Sequence, residues 1–281
     1  TYIYMLSLQR QACRWDATEV LLKASLQSKE DSLLSAWVRG YEFSFAPCYP
    51  RLHVIADNSS LTRAKHLFFR STPNVSFHAN NFAPTVEKAG KYWWIQWHIL
   101  WADNFTTAEY VFFFDVDATP VLPLRCQHLF DDDERLRIHA FRYDGNGTHW
   151  VMDDSRIFTA AAASGAVGRS AGLDGGETTR ILRRKSFSET MAHLDFMTYW
   201  PIVAPRWVLS HLRALVTDFH RPAANGGARC FDEAFVGPGT YSHADLLGKS
   251  LMLLFPDRVR LTLCPSVHNR SAHDILSEMS T

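Results

Sequence analysis

Apolar positions along this chain fall into short runs that alternate with longer amphipathic stretches. Tyr2-Ile3-Tyr4-Met5-Leu6-Ser7-Leu8 reads as a short buried strand. Ala17 to Leu34 carries Val20, Leu21, Ala24, Leu33 and Leu34 at helical spacing among polar residues, which predicts a helix. Leu52-His53-Val54-Ile55-Ala56-Asp57 follows as a second strand, Leu61 to Phe69 as a helix, and Val75-Ser76-Phe77 as a third strand. Such strand-helix alternation is the signature of a doubly wound α/β half. From Lys91 to Asp103, the residues Trp93, Trp94, Trp97, Leu100 and Trp101 make one wide apolar stripe, the mark of a helix packed on a sheet. Packing is the role these tryptophans predict first, ligand stacking the lesser one.

The segment Glu109 to Pro120 (EYVFFFDVDATP) breaks the pattern. Val111-Phe112-Phe113-Phe114 reads as a strand buried on both faces, as in parallel sheets. Asp115 and Asp117 stand at its carboxyl end, and Pro120 keeps it from pairing further. Beyond it, Leu124 to Phe130 leads into Asp131-Asp132-Asp133-Glu134, read as a solvated helix start. His139-Ala140-Phe141 is a short strand, and Asp153 and Asp154 read as solvated acids. The Ala/Gly/Ser-rich tract 159–176 cannot build a core and reads as a mobile loop, a candidate lid. The last third holds the apolar stretch Phe196 to Val203, and a helix from Pro205 with Trp207, Val208, Leu212, Leu215 and Val216 on its stripe. Phe231 to Phe235 comes next, then a helix opened by Ser242 and running to about Phe255, and a late strand Val259 to Leu263. No repeat and no linker between domains stands out.

Composition narrows the class. The chain has 281 residues and is 47% hydrophobic, enough for a large core. Lys+Arg and Asp+Glu are both 29, which gives no electrostatic reason for a nucleic-acid or anionic-membrane partner. No run of 18 apolar residues occurs, so no segment predicts a membrane span. The chain opens on Thr1 in strand-like sequence rather than on Met and a charged leader. This predicts a trimmed catalytic portion, with any signal or anchor upstream. Five of the eight Asn begin N-x-[ST]: Asn58, Asn74, Asn104, Asn146 and Asn269. That excess points to the secretory pathway and to glycans in surface loops. The five Cys fit no metal spacing, and their pairing cannot be read.

In open α/β sheets, ligands bind outside the carboxyl ends of the strands. An aspartate pair there supplies hard oxygen ligands for Mg2+ or Mn2+, and such an ion neutralises charge on a departing phosphate. D-x-D alone is a weak signal; at the end of an apolar strand, after an α/β half, it is far more specific. Tyr92 to Pro123 (YWWIQWHILWADNFTTAEYVFFFDVDATPVLP) resembles the core of the GT-A glycosyltransferases, in which an aromatic helix carrying Gln leads into a strand ending in D-x-D. The later FMTYWPIV, YSHADLLG and PSVHN stretches resemble segments of little-characterised algal and bacterial members.

The resemblance implies an α/β, Rossmann-like mixed sheet flanked by helices in a single large domain. Residues 1–123 would form the nucleotide-sugar half and 124–281 the acceptor half. It further implies transfer of a sugar from a nucleotide-diphosphate donor to a hydroxyl of a glycan or glycoprotein, dependent on Mn2+ or Mg2+ and located in the Golgi lumen. Carried over, Asp117 is the main metal ligand, Asp115 assists the metal or meets the ribose, and His268 is a third ligand. Asp57 meets the base and Gln96 belongs to the donor side. For Asp57 a helix cap is the plain alternative, and for His268 a structural role. Asp232, Glu233 and Asp245 are candidates for the catalytic carboxylate. Ser242-x-x-Asp245 is also a capping-box pattern, which explains Asp245 with no chemistry.

Two rivals remain. The same strand matches the opening motif of haloacid-dehalogenase-like phosphatases, with Asp115 as phosphoryl nucleophile and Asp117 as general acid. Against it stand the full α/β half before the strand and the lack of a later G-D-x-x-x-D. A non-catalytic sugar-nucleotide-binding domain would keep the same D-x-D.

Overall fold

A computed structural model describes residues 18–24, 31–46, 49–56, 58–68, 74–79, 84–116, 118–142, 157, 194–196, 202–220, 230–236 and 241–264. Five strands build the main sheet: β1 (Thr18–Ala24), β2 (Arg51–Ala56), β3 (Val75–Ala79), β4 (Tyr110–Asp115) and β7 (Ile202–Pro205), in the order β3-β2-β1-β4-β7. The first four run parallel, and β7 joins β4 antiparallel. A smaller sheet has the order β6-β5-β8, from β5 (Leu136–Arg142), β6 (Leu194–Asp195) and β8 (Val259–Cys264). The helices are α1 (Asp31–Phe45), α2 (Asn58–Phe68), α3 (Pro84–Ala89), α4 (Lys91–Leu100), α5 (Cys126–Leu129), α6 (Arg206–Phe219), α7 (Phe231–Phe235) and α8 (His243–Leu254). This is the mixed, Rossmann-like sheet flanked by helices, in one domain, that the resemblance implies, and its parallel part is the α/β half that the alternation predicts.

Register explains the layers. Phe112 and Phe114 of β4 point to the side covered by α1, where Phe45 meets both rings edge-on and Trp37 meets Phe114 at 5.5 Å. On that side Phe68 of α2 also packs on Phe77 of β3. The opposite face carries Glu19, His53, His78, Val111 and Phe113, which share one parity across the pairing. It is covered by α4 and the 3-10 turn Ala102–Asn104, with Phe105 against His78. Val111 to Phe114 are buried as a block, so β4 contributes on the order of 1.5–3 kcal/mol per large side chain to the core. α8 packs on β6, β7 and β8 and so joins the two sheets.

Two expectations need correction. Thr18–Ala24 is the central strand, not the start of a helix reaching Leu34; the helix begins at Asp31. A short run such as Val20-Leu21-Leu22 fits either period, and pairing to β2 and β4 on both edges decides for the strand. Asp131 to Glu134 forms a turn, not a helix start. Asp131 accepts the Asp133 and Arg135 N–H groups and the Arg135 guanidinium, and Glu134 sits at φ 62°. Of the Phe196–Val203 stretch, for which the sequence assigned no element, Ile202 and Val203 lie in β7. The Tyr2–Leu8 strand, Asp153, Asp154, the 159–176 tract and the 265–269 segment lie outside the described residues.

Candidate active site

The chain leaves β1 outward through β2 and β3, then returns to place β4 on the other side of β1. The crevice between the carboxyl ends of β1 and β4 is therefore the topological switch point, where such sheets bind ligands. Asp115 is the last residue of β4, in register with Lys23 of β1, and is half-buried. Its backbone carbonyl accepts the Ala118 N–H at 3.0 Å, so the chain turns immediately after it. The outgoing segment is then pinned to α1. Leu124 N–H donates to the Ser44 carbonyl at 2.9 Å, and Gly40 lies so close that a Cβ there would meet the Pro120 carbonyl oxygen at 2.3 Å and Thr119 Cγ2 at 2.8 Å. A glycine in mid-helix costs about 0.5–1 kcal/mol relative to Ala; here it permits the close approach. Asp117 itself, Asp57 and His268 lie outside the described residues.

The tryptophan helix α4 behaves as a strut. Trp94 Nε1 donates to the Val86 carbonyl at 3.0 Å and Trp97 Nε1 to Asp232 Oδ1 at 2.6 Å. Trp101 lies under the Arg213 guanidinium at 4.0 Å, and that guanidinium forms a two-pronged pair with Asp103, both contacts 2.7 Å. Gln96, only 2% exposed, accepts the His243 N–H at 2.8 Å and so satisfies one of the orphan donors that open α8.

Of the candidate carboxylates, Glu233 is exposed and Asp232 is half-buried against Trp97. Asp245 is fully buried: Oδ1 accepts the Phe196 N–H at 2.8 Å, and its own N–H donates to the Ser242 hydroxyl at 3.3 Å, the cap that the sequence spacing predicts. Burial raises its pKa to about 7; the Lys249 cation pulls it back down and Asp195 pushes it further up. α4 thus ties both Asp232 and the first turn of α8 to the element that leads into β4. Among the described residues, no group of three His, Cys, Asp or Glu side chains stands close enough to hold a metal ion.

Sequence reasoning missed Asp195 and Lys249, both buried beside Asp245. The available signal was a lysine inside the otherwise apolar Leu246–Leu254 run, one turn after an acid. It also missed Gly40, and Gly248, where a Cβ would enter the Phe196 ring at 2.2 Å.

No protein-family model matches the chain, and no curated protein matches it either. Among solved structures it is similar to CMP:2-keto-3-deoxy-manno-octonic acid synthetase complexed with CTP, at 10% identity and a TM-score of 0.38, over 93% of this chain and 96% of that one. It is also similar to glucosyl-3-phosphoglycerate synthase from Mycobacterium tuberculosis in complex with Mn2+, UDP and glucosyl-3-phosphoglycerate, at 14% identity and a TM-score of 0.37, over 96% of this chain and 80% of that one. Likeness at these scores carries no weight for function, and the fold stands on the sheet order itself.

Proposed function

We propose that this chain is the catalytic portion of a metal-dependent glycosyltransferase that moves a sugar from a nucleotide-diphosphate donor to a hydroxyl of a glycan or glycoprotein. The observation that carries the reading is Asp115, a half-buried acid at the carboxyl end of an all-apolar strand, at the switch point of a Rossmann-like sheet. Its hard oxygen suits Mn2+ or Mg2+, and the proposed ligand set is Asp115, Asp117 and His268. When bound, the ion supplies charge neutralisation on the leaving diphosphate. Asp57 would meet the base, with Gln96 on the donor side.

The acceptor hydroxyl needs a carboxylate that can take its proton. Asp232, Glu233 and Asp245 are the candidates. A pKa near 7 suits Asp245 to that task, whereas its burial and its bond to Phe196 suit a structural one. The five sequons support a place in the secretory pathway, with the Golgi lumen as the proposed location.

The test is a panel of nucleotide-sugars assayed for hydrolysis and transfer with Mn2+ and with chelator. Chelator-sensitive turnover supports the reading. Phosphate release from simple phosphomonoesters, lost in Asp115→Asn, would instead make the chain a phosphatase. Metal-dependent nucleoside diphosphate binding without turnover would make it a binding domain.

A further inference from the structure

The face of the main sheet that carries Asp115 also carries a chain of polar groups far from it, near the amino end of β1. Glu19 of β1, His53 of β2 and His78 of β3 line up across three strands. Glu19 Oε2 lies 2.7 Å from His53 Nε2, and His53 Nδ1 lies 2.9 Å from His78 Nε2. The two rings stack with centroids 5.2 Å apart. Thr106 donates its hydroxyl to the same Glu19 oxygen. His53 is 4% exposed, while Glu19 and His78 at the two ends of the chain are half-buried.

We propose that Glu19, His53 and His78 form a one-proton relay that holds β3 to the sheet near neutral pH and releases it when a second proton enters the histidine pair. An ionised carboxylate only accepts, so His53 Nε2 must carry the proton it gives to Glu19. In a neutral ring His53 Nδ1 is then an acceptor, and His78 Nε2 must donate to it. One added proton, entering at His78 Nδ1, leaves every bond in place. The imidazolium keeps its Nε2–H on His53, or passes that proton along the bond, and the Glu19 charge balances it. A second proton cannot be placed. Both facing nitrogens would then carry hydrogen at 2.9 Å, and two like charges would stack inside the layer.

β3 is an edge of the described sheet, paired there only with β2. Phe77 packs on Phe68 on the opposite face, and Phe105 meets His78 on this one. The charged and titratable groups around the relay do not change this. Arg51 is 3.9 Å from Glu19 Oε1 and also donates to Asn74. His98 stands behind Phe105 with Nδ1 on the Trp94 carbonyl, Asp103 is held by Arg213, and Arg206 donates to the Ala108 carbonyl. Lys65 and His66 of α2 are exposed on the other side. Burial, and then the neighbouring His53, hold the His78 pKa below the ordinary histidine value. The sign follows: the folded pair resists protonation more than the unfolded chain does, so stability falls as pH drops below the ordinary value of about 6.5, and the bond between the two rings is lost with the second proton.

Hydrogen-exchange protection of the β2–β3 ladder, measured on the whole chain from pH 7.5 to 5, tests the relay. Protection at β3 should fall at least about tenfold over that range while the β1–β4 ladder keeps its own, since each pH unit past a titration changes the protonated ratio tenfold. His78→Gln, which still bonds His53 Nδ1 but adds no second charge, should make β3 protection independent of pH. Loss at β3 in step with β1–β4, or unchanged pH dependence in His78→Gln, overturns the proposal. Imidazole NMR titration of the unmodified chain decides it even if that variant fails to fold: two separated steps support the relay, and a single step at the ordinary histidine value refutes it.

Discussion

Two buried-edge acids of this molecule, Asp115 and Asp245, have opposite surroundings. Asp115 closes a strand whose other members are apolar, and it is half-buried at an opening of the sheet. Asp245 is sealed at the start of α8, with its charge facing Lys249 and Asp195, and one oxygen on a backbone N–H. A carboxylate at a sheet mouth keeps part of its hydration and lies where solvent and ions can approach it. A carboxylate in the interior has lost its water and must be balanced by the protein itself. Sequence spacing marked both as candidates for chemistry; their burial separates them into an acid offered outward and an acid built inward.

The largest expected effect breaks the outward side. Asp117→Ala should lower metal-dependent turnover of the cognate nucleotide-sugar on the order of a thousandfold, the rate equivalent of about 4 kcal/mol. Its melting temperature should stay within about 4 °C of the parent, as a role confined to binding the metal requires. Full activity in that variant removes the transferase reading.

On the inward side, Lys249→Met should cost about 3–5 kcal/mol in urea unfolding, the usual penalty for stranding one member of a buried charge group. The pH dependence gives its signature. Asp245 has a folded pKa raised to about 7, so its protonated form favours the native state, and stability should rise as pH falls through 7 toward the unfolded carboxylate range near 4. The Lys249→Met deficit should therefore be larger at pH 8 than at pH 5.5. A deficit that ignores pH would mean that Lys249 acts through packing alone.

Much of the sheet was legible in the sequence, because strands buried on both faces leave apolar runs that need no partner to be seen: β2 and β4 are such cases. β1 was not, since its run abuts a real helical stripe in α1 and the two periods merge. The cap at Ser242 was legible because it is local, three residues from the N–H it receives. Gln96 on His243 and Trp97 on Asp232 were not, because those partners lie 147 and 135 residues apart and only the fold brings them together. Asp195 and Lys249 escaped for the same reason: charge in an apolar run shows that something balances it, not what.

The next effect tests how firmly the outward acid is aimed. Gly40→Ala puts a Cβ where the Pro120 carbonyl oxygen now lies, 2.3 Å away, and that oxygen belongs to backbone that cannot swing aside. The segment after Asp115 must shift. Metal affinity and turnover should fall about tenfold, within the hundredfold that a 1 Å misplacement can cost. Isothermal titration of Mn2+ and nucleoside diphosphate reads this directly. Unchanged affinity would show that the 118–120 segment moves independently of the site.

The smallest expected effect sharpens the boundary between the two regions, because Gln96 belongs to a helix that serves both. Ser242→Ala removes a side-chain cap from α8 and should cost about 1 kcal/mol. Gln96→Leu removes the acceptor of the neighbouring His243 N–H and leaves that donor buried, which costs about 1–3 kcal/mol. If Gln96 only supports α8, both variants lose stability while the KM for the nucleotide-sugar stays that of the parent. If its amide also meets the donor, Gln96→Leu alone raises KM severalfold, and Ser242→Ala, which loosens the same helix end without touching that amide, does not. The pair of measurements separates a side chain that holds the site's frame from one that belongs to the site.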